Sequence, residues 1–197
     1  LQLCKEIHGD ESIHVDIVVL YSTLGYCYGV MHQHEKAKSY FKQSLEMARE
    51  LYSQQPNQIT VSEQLRELGW CHNRTKGYEE AHRLLLESLQ MYRQIYGEES
   101  SHDYIADVIT KIGINLSDME KHEEALRWYS EALSMHEQKE RSKHSDLRMA
   151  AVLANMGHGH HSMLQFREAE QCYMQALTLY QNHHTGDDHM DVANICF

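Results

Sequence analysis

Three histidines within four positions, His158, His160 and His161, are the residues whose type and spacing first suggest chemistry. Imidazole and thiolate are common zinc ligands, and the chain has 16 histidines and five cysteines. On a helix, His158 and His161 share a face, whereas His160 points to nearly the opposite side. A zinc site takes three or four ligands, so the trio supplies at most two, with Asp118 as a candidate third. The sequence leaves His158 and His161 as weak metal-ligand candidates and predicts no cofactor.

Motifs typical of enzymes do not occur in the sequence. There is no phosphate-cradling glycine loop, nucleophile elbow, HExxH motif or kinase motif set. Acidic pairs such as Glu79–Glu80 and Glu123–Glu124 occupy adjacent positions, which do not face each other on a helix, and they are typical of helix starts. We therefore predict that the protein is not an enzyme.

The cysteines are odd in number and form no CxxC motif, which favours a reducing, cytoplasmic environment over a disulfide framework. Cys27 and Cys71 recur 44 residues apart, in one repeat position. Free cysteine is usually a small buried apolar residue, and a bridge or shared zinc between these two thiols is the alternative.

Composition and charge restrict the class of partner. The chain has 197 residues, 42% of them hydrophobic, and 18 basic against 29 acidic side chains give a formal charge of −11. This balance disfavours nucleic acid and anionic membrane surfaces, which both select clustered Lys and Arg. No apolar run approaches the roughly 20 residues that cross a bilayer. Long Glu/Gln/Lys/Leu/Met/Ala-rich segments with a single proline favour an all-α fold.

A repeat of 44 residues organises the whole chain. Its markers are a glycine after a large apolar residue, an alanine twelve residues later, and a large side chain four residues beyond that. The glycines are Gly25, Gly69, Gly113 and Gly157; the alanines are Ala37, Ala81, Ala125 and Ala169; the large residues are Phe41, Leu85, Tyr129 and Tyr173. Small residues at fixed offsets let two helices approach closely, so the pattern predicts antiparallel helix pairs.

Apolar spacing of three and four residues places the helices. First helices are predicted at 15–30, 59–74, 103–118 and 146–162, and second helices at 34–53, 78–96, 122–140 and 166–183. We divide the chain into one array, with the end of a preceding repeat at 1–14, repeats at 15–58, 59–102, 103–145 and 146–189, and the start of a following repeat at 190–197. Because no polar caps are visible, we expect a longer parent protein and self-association through uncapped ends.

The repeat resembles the tetratricopeptide repeat, whose pattern is W-x2-L-G-x2-Y, then A-x3-F, then P. The first slot holds Tyr21, Leu65, Ile109 and Leu153, and the tyrosine slot holds Tyr28, His72, Leu116 and His160. The closing proline is missing, and the repeat is longer than the 34-residue form. With linkers such as GEESSHDYIA and GDDHMDVA, the chain is similar to the kinesin light chain-like subfamily. The resemblance implies a right-handed α-solenoid of antiparallel helix pairs.

In such solenoids the first helices line a concave groove, and the core takes the residue before each glycine and the one three after it, which includes His160. The groove residues that this rule selects are Thr23, Tyr26, Arg66, Glu67, Trp70, Asn73, Arg74, Lys111, Ile114, Asp118, Asn155, His158 and His161. Trp70 packing only between neighbouring first helices is the alternative. Two groove histidines would make partner binding depend on pH at roughly 6 to 7.

The resemblance and the mixed aromatic and charged groove favour a non-catalytic scaffold that binds a peptide or helical segment of a protein partner. A regulatory or autoinhibitory array inside a larger signalling protein, or an oligomerising one, is the second hypothesis. A histidine-rich metal-binding domain is the remote third.

Overall fold

The computed structural model describes residues 15–51, 58–98, 100–138 and 142–183, and every regular element in them is an α-helix. The chain divides into two compact units, Leu1–Glu99 and Ser100–Phe197. The first contains α1 (Val15–Val30), α2 (His34–Leu51), α3 (Gln58–Arg74) and α4 (Tyr78–Tyr96). The second contains α5 (Asp103–Asp118), α6 (His122–Glu137), α7 (Lys143–Ser162) and α8 (Phe166–His183).

The predicted all-α fold of helix pairs is confirmed, and most helix boundaries match. The largest difference is the start of α7, at Lys143 instead of 146. Ser142 provides the reason, because its Oγ accepts a hydrogen bond from the backbone N–H of Ser145 and caps the helix earlier. The predicted ends at 53 and 140, the linker copy GDDHMDVA at 186–193, and the flanking segments 1–14 and 190–197 lie outside the described residues.

Each helix pair is joined by the same three-residue turn. In the first, the backbone N–H of Gln33 donates to the carbonyl of Tyr28 at 2.9 Å, and that of His32 donates to Gly29 at 3.0 Å. This pair of bonds is the Schellman motif, whose central residue takes the left-handed conformation. The left-handed residues are His32, Lys76, Glu120 and Leu164, with φ of 56°, 63°, 62° and 62°.

Inside each pair, the repeat glycine lies directly against the large residue sixteen positions later. A Cβ added to Gly113 would lie 2.5 Å from Cε1 of Tyr129, and one added to Gly25 would lie 2.8 Å from the ring of Phe41. The four repeat alanines are buried as well. The repeat pattern therefore marks where the two helices of a pair touch.

Neighbouring helices in the first unit also share hydrogen bonds. The hydroxyl of Ser44 on α2 donates to the carbonyl of Val18 on α1 at 3.0 Å, and that of Ser88 on α4 donates to Ser62 on α3 at 2.8 Å. Both serines are fully buried. None of the described helices is long and apolar enough to cross a membrane.

Candidate binding site on the first helices

The predicted groove residues differ widely in exposure. Six are exposed: Thr23, Tyr26, Arg74, Asp118, His158 and His161. Five are half-buried: Glu67, Trp70, Lys111, Ile114 and Asn155. Two are buried: Arg66 and Asn73. Because the residues are divided between the two units, a continuous groove along all four repeats stays a prediction.

The assignment of Arg66 and Asn73 to an open groove surface was wrong, since they are only 8% and 2% exposed. Arg66 lies along Glu67, with Nη2 and Nε 2.8 and 2.9 Å from the carboxylate oxygen Oε1. This charge-assisted contact keeps the guanidinium against the helix surface instead of extending it into solvent. Arg66 therefore neutralises Glu67.

The groove face of the first unit contains a cavity of ≈ 240 Å³ between α1 and α3. Three of the predicted residues, Tyr26, Glu67 and Trp70, line it. The sequence rule missed His34 and Phe41, which come from α2 and complete the lining. Their contribution depends on how the turn after α1 directs the start of α2, which a rule for first helices does not include.

Aromatic rings form the walls of this cavity. The rings of Tyr26 and Phe41 meet edge to face, with centroids 5.2 Å apart and planes at 87°. The guanidinium of Arg74 lies over the Trp70 ring, 5.5 Å from its centroid, which is a cation–π contact. Val30, also in the lining, is 81% exposed. Trp70 thus faces an open cavity, rather than only packing between first helices.

Burial and neighbouring charges shift two titratable groups here. The buried part of the Tyr26 side chain raises its pKa to about 12, and the negative charge of Glu67 adds to the rise. Burial lowers the pKa of His34, and the nearby Arg74 and His32 lower it further. At neutral pH both groups are therefore uncharged.

In the second unit the predicted histidines do not form a metal site. No group of three or more His, Cys, Asp or Glu side chains that could hold a metal occurs among the described residues. His158 and His161 are exposed, and His161 contacts the Phe166 ring at 5.5 Å. The expectation that His160 belongs to the core was wrong, because it is half-buried and its Nδ1 lies 2.7 Å from Oε1 of Gln165.

The described cysteines Cys27, Cys71 and Cys172 form no disulfide with one another. Cys27 is exposed whereas Cys71 is buried, although both occupy the same repeat position. No bridge joins them, so the alternative of a Cys27–Cys71 disulfide is wrong.

A larger cavity of ≈ 560 Å³ lies over α2, the end of α3 and α4 in the first unit. Its charged walls are already paired internally: Lys38 lies 2.6 Å from Glu35, and Arg83 lies 2.6 Å from Glu80. Its floor contains the buried Leu45. With few free charges or exposed rings, it is a poorer binding site than the aromatic cavity.

Comparison with known proteins identifies the family. The sequence model described as tetratricopeptide repeat matches residues 16–94, 66–138 and 104–182, which together cover most of the chain. The chain belongs to the tetratricopeptide repeat family. No curated protein sequence matches it.

Solved structures with the same fold share little sequence with it. BtubC (BKLC) from P. vanneervenii has 17% identity and a TM-score of 0.73, over 86% of this chain and 65% of its own. A Rap protein complexed with Competence and Sporulation Factor has 21% identity and a TM-score of 0.72, over 86% and 44%. A putative kinesin light chain repeat protein from Podosopora anserina has 16% identity and a TM-score of 0.68, over 94% and 86%. The chain thus spans less than two thirds of the first two structures.

Proposed function

We propose that the chain is a non-catalytic protein-interaction module whose cavity between α1 and α3 anchors a segment of a partner protein. The observation that carries the proposal is an exposed cavity walled by Tyr26, Phe41 and Trp70 on the face of the first helices. Aromatic and arginine side chains around a small pocket are the usual sites of high binding energy in protein interfaces. Similarity in fold to a Rap protein that was solved with a bound factor supports the same use of this architecture.

The rim of the cavity contributes orientation as well as contact area. Among the described residues, Arg74 forms no ion pair, and its guanidinium is exposed over the Trp70 ring. A bound segment can therefore hydrogen-bond to Arg74 while its side chain enters the cavity. Such a combination of one anchoring pocket and one polar contact is typical of short-peptide recognition.

Filling the cavity tests the proposal. A Cβ added to Gly29 would meet nothing within 4 Å, so Gly29→Leu is expected to fill the cavity while the helices stay packed. Peptides selected from a displayed random library on the unmodified chain would be measured by fluorescence polarisation. We expect Gly29→Leu to weaken them by about tenfold or more, which corresponds to about 1.4 kcal/mol.

Gly29→Ala is the matched control, since its methyl group leaves most of the space open. It should bind within about fourfold of the unmodified chain, because the lost area is roughly that of one methyl group, worth about 0.8 kcal/mol. Circular dichroism spectra should show the same helix content for all three proteins. Unchanged affinity of the Gly29→Leu protein for every selected peptide would contradict the proposal.

A further inference from the structure

An occupant of the cavity between α1 and α3 needs a hydrogen-bonding group as well as an apolar surface. We propose that it takes the phenol ring of a tyrosine side chain from the partner, whose hydroxyl hydrogen-bonds to the imidazole of His34. This inference rests on the proposed function, because it names the chemical group that enters the same cavity.

The second unit shows how this position is satisfied internally. There, Oγ of Ser117 at the end of α5 lies 3.4 Å from Nδ1 of His122 at the start of α6. The same hydroxyl hydrogen-bonds to the phenol of Tyr129. The serine hydroxyl of α5 thus interacts with both the imidazole and the phenol of α6 across the turn.

In the first unit, the same three positions lack two of the three groups. Gly29, His34 and Phe41 stand 88 residues before Ser117, His122 and Tyr129, respectively. Neither glycine nor phenylalanine has a hydroxyl, and the space beside Gly29 is empty. Nδ1 of His34 is shielded from solvent. Because both hydroxyls are absent, it has no hydrogen-bond partner among the described residues. A buried polar atom left unsatisfied costs about 1–3 kcal/mol, which an incoming hydroxyl would recover.

The size and walls of the cavity suit one aromatic ring. Its volume is ≈ 240 Å³. A cavity of about 150 Å³ already holds benzene, whereas sites for drug-sized molecules usually exceed about 300 Å³. The rings of Tyr26, Phe41 and Trp70 supply edges and faces for an inserted ring. A single phenol fits this space better than a whole small-molecule ligand.

The charges around His34 are compatible with a phenol donor. Arg74 and Glu67 of α3, His32 of the turn and Tyr26 of α1 are the titratable groups near it. Burial lowers the pKa of His34, and the neighbouring Arg74 and His32 lower it further. A neutral imidazole keeps one ring nitrogen as an acceptor, to which the phenol O–H donates.

The inference predicts a preference between two simple probes, p-cresol and toluene, which are the side chains of tyrosine and phenylalanine. Binding to the full chain would be followed by chemical-shift changes in NMR spectra. We expect p-cresol to bind about fivefold more tightly than toluene, because one hydrogen bond to a buried group is worth about 1 kcal/mol.

Two variants then identify the hydrogen-bond partner. Gly29→Ser restores the hydroxyl that Ser117 supplies in the second unit, and His34→Phe removes the imidazole; Phe166 occupies the equivalent position in the fourth repeat, so the fold accepts this ring. Both variants should reduce the preference for p-cresol over toluene to within about twofold, because each removes the hydrogen bond of about 1 kcal/mol between the phenol and His34.

Each result decides the question. Equal binding of both probes to the unmodified chain overturns the phenol inference, and loss of both probes in Gly29→Leu would then still support an apolar anchoring cavity. A preference for p-cresol that survives in His34→Phe also overturns it, because the hydroxyl would be held elsewhere, for example at Glu67. If neither probe shifts the cavity residues, the inference fails, and the peptide selection decides the proposed function independently.

Discussion

Replacing Gly113 by alanine is expected to lower the free energy of unfolding by about 2 kcal/mol, within the usual cost of overpacking a core. The added Cβ would lie 2.5 Å from Cε1 and 2.7 Å from Cδ1 of Tyr129. That ring is only 1% exposed, and its hydroxyl is held by Ser117, so it cannot move aside without displacing its neighbours. The steric cost therefore exceeds the gain in helix propensity, about 0.5–1 kcal/mol, that alanine brings.

Gly29→Ala separates this steric effect from helix propensity. Gly29 is also helical, but its added Cβ meets nothing within 4 Å. We expect this variant to raise the free energy of unfolding by about 0.5–1 kcal/mol. Urea unfolding monitored by circular dichroism would measure both variants. Changes of the same sign in both would show that contact with Tyr129 does not decide the outcome at Gly113.

Replacing the four left-handed turn residues by glycine is expected to raise the free energy of unfolding, in contrast to Gly113→Ala. His32, Lys76, Glu120 and Leu164 all have φ near +60°, which costs an L-residue roughly 1–2 kcal/mol relative to the right-handed region. Glycine removes this cost but loses more backbone entropy on folding. We expect a net gain of about 0.5–1 kcal/mol for each substitution and about 2–4 kcal/mol for the four together.

Arg127→Gly is the control for these turn substitutions, because it places glycine at an exposed position inside α6. It should lower the free energy of unfolding by about 0.5–1 kcal/mol through helix propensity alone. Thermal and urea midpoints of the single and combined variants give the comparison. A loss of stability in the four-fold glycine variant would show that the side chains at these positions make compensating contacts.

The local structure was largely predictable from the sequence because it depends on contacts inside one repeat. A glycine and a large side chain sixteen positions apart can meet only if two helices pack across a short turn. The positions of Gly25 and Phe41, or Gly113 and Tyr129, therefore predicted which helix faces touch, and the added-Cβ distances agree with that reason. The turn geometry follows from the same spacing.

The site was less predictable because exposure depends on side-chain partners that a helix-face rule does not contain. Arg66 was expected to be open, but its adjacent Glu67 holds it down. His34 was not selected at all, because its importance depends on what stands at Gly29 across the turn. The sequence does contain one signal for it, because Gly29 and His34 stand where Ser117 and His122 stand two repeats later, and glycine has no hydroxyl.

The contact between each repeat glycine and the large side chain sixteen positions later also affects how such a chain can change in length. Each contact links residues sixteen positions apart within a repeat, and successive contacts recur every 44 residues. Duplicating or deleting one complete 44-residue segment leaves every remaining glycine opposite its large partner, whereas an insertion inside a pair separates the two. Gain or loss of whole units is therefore the change in gene length that this architecture tolerates most easily.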